Sequence, residues 1–424
     1  MILDALLALG IVMSSATQIL IPGLPLTIGE FSLLVWIILS LGRIIAGEQV
    51  IVTPALVRLA GFWVALALLL CVGAFMGYLT KVLQPSYVIH DTIAYALLAL
   101  LTCLAAARPN ASHHLRHCAW FVIACANASL AIQLGQGWGL FHVSSVNPWF
   151  WDRFRGWSAN PNQLALYCTM YGPIALHLAT TSKKTFAKIV GYMGLILPYY
   201  VGWMTKSDTF VLSTILTSFI FLGLRLRTWL SSGGSKAAIG RQIAILLLFV
   251  SVPLGLALVP YSTTEVDVAA LIAKNLTRDQ DGKGIEANTA RRRQLWNEAI
   301  ENGLQSASLG LGPGPHQVIR PLNEPSTDPP PFEAHNTYLD IYTQGGLMAV
   351  LLLFWIVGSA AAFVWRAKLD ALFALALSLA LFANTHMIIR HPVVWFAVTL
   401  CLATGSARVV SSIPARRRVT PCMK

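Results

Sequence analysis

Residues 345–365 read GGLMAVLLLFWIVGSAAAFVW and carry no charged side chain. An α-helix of about 20 apolar residues crosses the hydrocarbon core of a bilayer, because each residue adds about 1.5 Å. A search of the chain for comparable stretches finds about twelve. They lie near residues 2–20, 24–42, 57–79, 87–107, 118–135, 160–180, 187–204, 209–224, 241–260, 345–365, 370–386 and 392–408. The sequence therefore predicts an all-α polytopic membrane protein with about 12 transmembrane helices.

The composition of the whole chain agrees with this fold class. Of its 424 residues, 56% are hydrophobic and 11% are charged, and the mean hydropathy is +0.65. Soluble domains hold about 25% charged residues. A soluble chain of this size could not cover so much apolar surface with so few charges. The same composition excludes disordered proteins and small disulfide-rich proteins.

The basic residues predict the orientation of the spans. When the N-terminus is placed in the cytoplasm, most Lys and Arg residues of the short loops fall on the cytoplasmic side, as the positive-inside rule requires. The formal net charge of +12 then faces the anionic inner leaflet, so it does not indicate nucleic-acid binding. We expect both ends of the chain in the cytoplasm, with the basic tail Arg416–Arg418 as an anchor on that surface.

One long hydrophilic stretch divides the chain into three parts. Residues 1–260 are predicted to form spans one to nine, residues 261–335 an outer loop, and residues 336–424 the last three spans and the tail. Loops of this length are usually functional. Within the loop, residues 290–304 have the apolar periodicity of a helix. The sequence LGLGPGP at 309–315 then predicts tight turns.

The outer segment 147–162 places two arginines among aromatic residues. Arg153 and Arg155 are two residues apart, between Trp149, Phe150 and Trp157. Guanidinium groups bind phosphate through paired hydrogen bonds, so this segment suits an anionic lipid headgroup. An aromatic belt with two snorkelling arginines explains the segment equally well. Both interpretations stay open on this segment alone.

A second basic cluster and one histidine lie in the long loop. Arg291, Arg292 and Arg293 precede Trp296, and three consecutive helical residues point in directions about 100° apart. His335 stands where the loop enters the tenth span, and a neutral imidazole there could accept a proton from a hydroxyl. Taken singly, a solvated charge run and an interfacial histidine are the simpler interpretations.

Other ionisable residues complete the outer face. Lys81, Lys206, Asp208 and the pair Arg390-His391 are predicted to lie there. The spacing of Asp279 and Asp281 is that of metal-dependent glycosyltransferases, but so short a pattern is common in acidic loops. We therefore expect no metal. The chain also lacks the GxxxxGK[ST] phosphate-binding loop, so nucleotide use is not indicated.

Together, these segments resemble the O-antigen ligase/O-antigen polymerase superfamily of bacterial envelope glycosyltransferases. His335-Asn336 is followed by nine residues and then Gly346, as in the family pattern, although Ala349 stands where that pattern has Gly, Thr or Tyr. The other matching features are Arg292 with Trp296, the turn Gly310–Gly314, and the segment Arg153, Gly156 and Asn160–Asn162. One departure is Ser207-Asp208-Thr209, where many members carry Ser-Arg-Gly. We hypothesise that Lys206 supplies the missing charge.

The resemblance implies a GT-C-like membrane glycosyltransferase acting at the periplasmic face of a bacterial inner membrane. It implies undecaprenyl-diphosphate-linked O-antigen as donor and lipid A-core as acceptor, with inversion and without metal, nucleotide, nucleic acid or other cofactor. Because no metal neutralises the leaving diphosphate, fixed cations must do so. We assign that role to Arg153, Arg155 and Arg292, followed by Lys206, Lys81, Arg291 and Arg293. His335 is the expected base, and the supporting residues are Asn336, Asn160, Asn162, Trp157, Tyr338 and Asp208.

The acceptor decides between several related activities. A ligase moves the whole O-antigen onto lipid A-core, whereas a polymerase moves a growing chain onto another repeat unit. The ligase is favoured because the chain is compact and has one dominant outer loop. A protein O-oligosaccharyltransferase is a further alternative, although such enzymes are generally longer. A transporter is the most distant alternative, since the matched halves typical of transporters are not evident in the sequence.

Overall fold

The computed structural model describes residues 1–24, 26–232, 283–318 and 331–411. Within these residues the helices are α1 (Ile2–Met13), α2 (Ile28–Ile45), α3 (Pro54–Leu79), α4 (Pro85–Ala107), α5 (Ala111–Gly137), α6 (Pro161–Thr181), α7 (Thr185–Met193), α8 (Ile196–Met204), α9 (Asp208–Ser232), α10 (Lys283–Gln305), α11 (Thr337–Arg366), α12 (Asp370–Ala383) and α13 (Pro392–Ser411). A short antiparallel hairpin, β1 (Trp149–Phe150) with β2 (Arg153–Phe154), precedes α6. The predicted ninth span at 241–260, the pair Asp279 and Asp281, and the tail Arg416–Arg418 lie outside the described residues.

The described helices support the prediction of an all-α polytopic membrane protein. Among them, seven are long and apolar enough to cross a membrane. These are α2, α3, α4, α5, α9 through Arg227, α11 and α13. The predicted outer-loop helix at 290–304 is confirmed, since α10 runs from Lys283 to Gln305. The total of twelve spans stays a prediction.

Two predicted spans are shorter or divided in the structure. The first, predicted at 2–20, contains a helix that ends at Met13, and the Ser14 and Ser15 hydroxyls donate to carbonyls of its last turn. The seventh, predicted at 187–204, consists of two nine-residue helices separated near Gly194. There the amide of Asn127 donates to the Gly194 carbonyl at 3.1 Å. At both places polar side chains bond backbone carbonyls where the apolar pattern alone predicts a continuous span.

Helix α11 has a break one-third of the way along it. Gly346 has φ 73° and ψ −172°, a conformation that L side chains rarely adopt. The break leaves the carbonyls of Thr343 and Gln344 without helical partners. They accept instead from the backbone N–H groups of Leu311 at 2.7 Å and Gly312 at 2.9 Å. The glycine-proline turn 309–315 is thus the hydrogen-bonding partner of the break in α11.

Helix α3 packs backbone to backbone against this junction. A Cβ on Gly73 would overlap the carbonyl oxygen of Gln344, and one on Gly77 would overlap that of Leu311. Ala349 is fully buried one turn beyond the break, and a Cβ on Gly345 would lie 2.8 Å from its methyl group. A small residue at 349 therefore suits this packing, which explains why alanine is tolerated there.

Replacing Gly346 with alanine should destabilise the protein. The new Cβ would overlap the carbonyl oxygen of Ser308 at a positive φ. Such backbone strain costs about 1–3 kcal/mol. The measurement is the apparent melting temperature in detergent. Gly61→Ala is the matched control, because a Cβ on this helical glycine meets nothing within 4 Å. Equal melting temperatures for the two variants would contradict the assigned role of the break.

Polar contacts mark the two opposite ends of α1 and α5. At the start of α1, Asp4 is buried and accepts from Arg108 at 2.6 Å, beside the start of α5. Beyond the other ends of the same two helices, the amide of Gln18 donates to the carbonyls of Asn147 and Ser158. The predicted inner and outer loops are therefore separated in space. The assignment of these ends to cytoplasm and periplasm stays a prediction.

Candidate active site

His335 stands at the entrance to α11 and is held there from both sides. The N–H of the preceding residue, Ala334, donates to Oδ1 of the buried Asp340 at 2.7 Å. The carbonyl of Ala334 accepts from Nε1 of Trp296 at 3.0 Å. His335 itself has φ 52°, a left-handed conformation for which histidine is one of the better-suited residues. These bonds fix the backbone next to His335, whose side chain is exposed.

Two supporting residues predicted from the sequence build the start of α11. Asn336 is its N-cap, and its side-chain oxygen accepts from the N–H groups of Tyr338 at 3.0 Å and Leu339 at 3.3 Å. The hydroxyl of Tyr338 donates to the carbonyl of Ala380 at 3.2 Å. Its ring stacks on Phe354 with 4.8 Å between centroids. Both side chains therefore orient the helix that begins two residues after His335.

The arginine triplet on α10 lies beside His335. The Trp296 hydrogen bond to Ala334 joins the two elements, and the guanidinium of Arg291 lies over the Phe332 ring at 5.2 Å. Partial burial of the imidazole, followed by the charges of Arg292 and Arg291, lowers the pKa of His335 below its ordinary value of 6.5. His335 is therefore neutral at neutral pH, as a base must be.

The two arginines of the hairpin segment have different surroundings. Arg153 donates from Nε to the Thr205 carbonyl at 2.9 Å and from Nη2 to Oδ1 of Asn162 at 2.7 Å. Arg155 donates to the carbonyls of Asn147 at 2.9 Å and Ala159 at 3.2 Å. Arg153 thus joins the hairpin to the turn before α9, whereas Arg155 braces its own loop.

The remaining predicted residues of this segment also stabilise the loop. Asn160 is the N-cap of α6, and its side chain accepts from the N–H of Asn162 at 2.8 Å. Trp157 donates from Nε1 to Oε1 of Gln136 at 2.8 Å. Through these bonds the segment fixes the position of Asn162, which in turn holds Arg153. The residues of this segment that resemble the family pattern therefore hold Arg153 in position.

The lysines and the aspartate predicted for the site lie at two turns. Lys206 has φ 49° in the turn between α8 and α9, and its Nζ lies 2.6 Å from Oδ2 of Asp152 on the hairpin. Asp208 is exposed in the first turn of α9, and Arg293 is exposed on α10. Lys81 is exposed in the turn after α3. In the described part of the chain, no hydrogen bond or ion pair joins Lys81 to the arginines or to His335.

Sequence reasoning missed a second histidine, His386, in the turn between α12 and α13. Its carbonyl accepts from the hydroxyl of Thr337 at 2.5 Å, so it is tied to the start of α11. Burial, followed by Arg292, His335 and Arg153, lowers the pKa of His386 to about 3. The charges of residues predicted on three separate segments therefore act on this one imidazole. A lone histidine in a short turn carries no pattern that would have indicated this.

Arg390 fastens the chain segment before His335 to the helices. Its Nη1 lies 2.6 Å from Oδ1 of the buried Asp91 on α4, and its Nη2 pairs with Glu333. Asp91 lies within a predicted span, where ionisable residues are usually functional. In the structure it anchors Arg390, and through Arg390 and Glu333 it fixes the approach to Ala334.

An apolar cavity lies beneath the start of α11. It has a volume of about 220 Å³ between α11, α12 and α13, and it reaches Thr337 and Tyr338. A second, more open cavity of about 560 Å³ is bounded by α9, α11 and α12 and reaches Asn336 and Asn384. Both are lined largely by aliphatic and aromatic side chains. An apolar chain could therefore lie between these helices with its polar end near His335.

Comparison with known proteins identifies one family. Residues 193–354 match the family model described as O-antigen ligase. The match includes Lys206, Arg292 and His335, whereas Arg153 lies before it. No curated protein and no solved structure matches the chain.

Proposed function

We propose that this chain, a member of the O-antigen ligase/polymerase family through residues 193–354, is an O-antigen ligase. It would transfer an O-antigen polysaccharide from undecaprenyl diphosphate to a sugar hydroxyl of lipid A-core. The proposed location is the periplasmic face of a bacterial inner membrane. The observation that carries the proposal is the convergence of Arg153, Arg292 and His335 at one end of the helices.

The arrangement suits the departure of a lipid diphosphate from a sugar. As the bond between the anomeric carbon and the phosphate oxygen breaks, its electron pair goes to that oxygen. Fixed guanidinium groups stabilise the developing charge, and we assign this role to Arg292 and Arg153. Lys206 is placed beside the same hairpin by its ion pair with Asp152. These cations approach the site from three different segments of the chain.

The acceptor hydroxyl needs a base because a neutral hydroxyl is a weak nucleophile. The lowered pKa of His335 keeps its imidazole neutral and able to take the proton. The acceptor oxygen attacks the anomeric carbon from the side opposite the diphosphate. The new glycosidic bond therefore has the inverted configuration, and the released lipid diphosphate keeps the electron pair of the broken bond.

The apolar cavities support a donor with a single hydrocarbon chain. The cavity of about 220 Å³ is bounded by Gly358, Ala361 and Leu377 away from the site and by Thr337 toward it. A cavity of about 220 Å³ can take part of one hydrocarbon chain, whereas the several acyl chains of lipid A together would not fit. Burying each methylene there contributes about 0.8 kcal/mol. We therefore place the donor tail between α11, α12 and α13.

Filling the cavity should affect long donors selectively. Gly358→Leu places a side chain among the lining residues, and displacing two methylenes of the tail costs about tenfold in kcat/KM. Donors with a tail too short to reach Gly358 should react as with the wild type. The measurement is kcat/KM for a series of prenyl diphosphate-linked donors in reconstituted membranes.

The control for this experiment is Gly61→Leu, on a helical glycine with open space around it. It should leave the dependence on tail length unchanged. An equal loss with long and short donors in Gly358→Leu would contradict the assignment of the tail to this cavity.

The proposed function is tested by deleting the gene in the native bacterium and separating its lipopolysaccharide on a gel. Core without any O-chain supports the ligase. Core that carries a single repeat unit identifies a polymerase and overturns the proposal. A normal ladder overturns both. Transfer by the purified protein should also survive chelation, and strict Mg²⁺ or Mn²⁺ dependence would direct attention to Asp279 and Asp281.

A further inference from the structure

His386 is held within the candidate site by its backbone and by its neighbours. The Thr337 hydroxyl donates to the His386 carbonyl at 2.5 Å and accepts from the N–H of Ile388 at 2.9 Å. Thr337 is two residues from His335, so the two histidines enter the site from adjoining backbones. On the other side, the Thr385 hydroxyl lies 2.9 Å from that of Thr209 on α9.

These bonds also bring His386 toward both arginines. Thr209 follows the turn whose Thr205 carbonyl accepts from Arg153. Arg292 belongs to the helix that adjoins the segment before α11, because Trp296 on the same helix bonds to Ala334. The groups that act electrostatically on His386 are Arg292, His335, Arg153 and the neighbouring His391. A partly buried imidazole on which two guanidinium charges act stays neutral, and a neutral imidazole still offers one N–H donor.

We propose that His386 is a second catalytic imidazole, which donates an N–H hydrogen bond to the diphosphate oxygen that leaves the sugar. This inference rests on the proposed function and adds a third residue to the anion site proposed for Arg153 and Arg292. His335 remains the base for the acceptor hydroxyl. The site then has one imidazole for each of the two oxygens whose charge changes in the reaction.

No proton passes through His386 in this step. The acceptor hydroxyl proton goes to His335, and the acceptor oxygen forms the new bond to the anomeric carbon. The bond to the phosphate oxygen breaks, and its electron pair stays on the diphosphate. His386 keeps its proton and stabilises that charge together with Arg153 and Arg292. His335 later returns its proton to the solvent.

The test compares His386→Ala with His386→Gln in the full-length protein, using a lipid diphosphate-linked glycan donor and purified lipid A-core. Glutamine keeps an N–H donor but does not titrate. We expect His386→Ala to lower kcat about 100-fold, the size of effect seen when one donor to a developing oxyanion is removed. His386→Gln should recover at least about tenfold of this loss. His142→Gln, an exposed histidine before the hairpin, is the control and should match the wild type.

The pH profile separates this role from the alternatives. In His386→Gln, the acid limb of kcat/KM should remain, because it belongs to His335. Loss of that limb would show that His386 is the base and would overturn the proposal. Wild-type kcat in His386→Ala, or equal losses in Ala and Gln confined to KM, would overturn it as well. If the wild-type protein itself makes no product, the proposed function fails and not only this inference.

Discussion

Replacing His335 with asparagine should lower the rate of glycan transfer by about 100- to 10,000-fold, the range that a positioned base contributes. Without the imidazole, the acceptor hydroxyl must lose its proton to water. Asparagine is the appropriate substitution because it adopts the left-handed conformation that the φ of 52° at this position requires. The backbone bonds of Ala334 should therefore persist, and the loss should appear in kcat. The measurement is the initial rate of transfer at saturating donor and acceptor.

As a control, His335→Asn should have the melting temperature of the wild type and the same affinity for the lipid diphosphate product. A variant that keeps near-normal kcat would remove His335 from the mechanism. A variant that loses activity only because it fails to insert in the membrane would be recognised by its absence from the membrane fraction. The experiment therefore distinguishes the loss of the catalytic base from a failure of the variant to insert in the membrane.

Replacing Arg292 with alanine should lower kcat/KM for the donor by about 100- to 1,000-fold, because it removes one of the cations that stabilise the leaving diphosphate. Lysine should recover only part of the loss, since an ammonium group lacks the paired donors of a guanidinium. The measurement is the donor saturation curve at fixed acceptor. Arg366→Ala is the matched control, because this arginine is exposed at the opposite end of α11 and should leave the curve unchanged.

The same substitution should also move the pH profile. The charge of Arg292 contributes to the lowered pKa of His335. Removing it raises that pKa toward the ordinary value of 6.5. Because the neutral form of His335 is the active one, the acid limb of kcat/KM should move to higher pH in Arg292→Ala. A limb at the wild-type position, together with an unchanged saturation curve, would contradict the placement of Arg292 beside the base.

The motif around His335 was visible in the sequence, but its physical basis was not. The spacing from His335 to Gly346 is fixed because the first turns of α11 must end where their carbonyls meet the turn 309–315. Similarly, Arg292 and Trp296 are one helical turn apart, so when Trp296 bonds to Ala334 the arginine comes beside the histidine. Local spacing therefore predicted which residues belong together. The contacts that make the spacing necessary connect segments distant in the sequence.

The two hairpin arginines show where sequence reasoning stops. Arg153 and Arg155 are the same residue type, two positions apart, and both were assigned to the diphosphate. In the structure, Arg155 donates to carbonyls of its own loop, whereas Arg153 extends to the turn before α9. No feature of the sequence distinguishes them, because the difference depends on where Thr205 and Asn162 lie.

The sequence by itself determined that this is a helical membrane protein, and it indicated the end at which the candidate chemistry lies. Hydrophobicity and basic charge are properties of each short segment, so their distribution can be interpreted without knowledge of the fold. Only the tertiary structure decided that His386 belongs to the site, that Arg155 braces a loop, and that α11 breaks at Gly346. The position of His386 and the break at Gly346 depend on hydrogen bonds between segments tens to hundreds of residues apart, and a single sequence contains no local record of such contacts. The role of Arg155 depends on how its own loop folds, which places the carbonyls of Asn147 and Ala159 within reach of its guanidinium group.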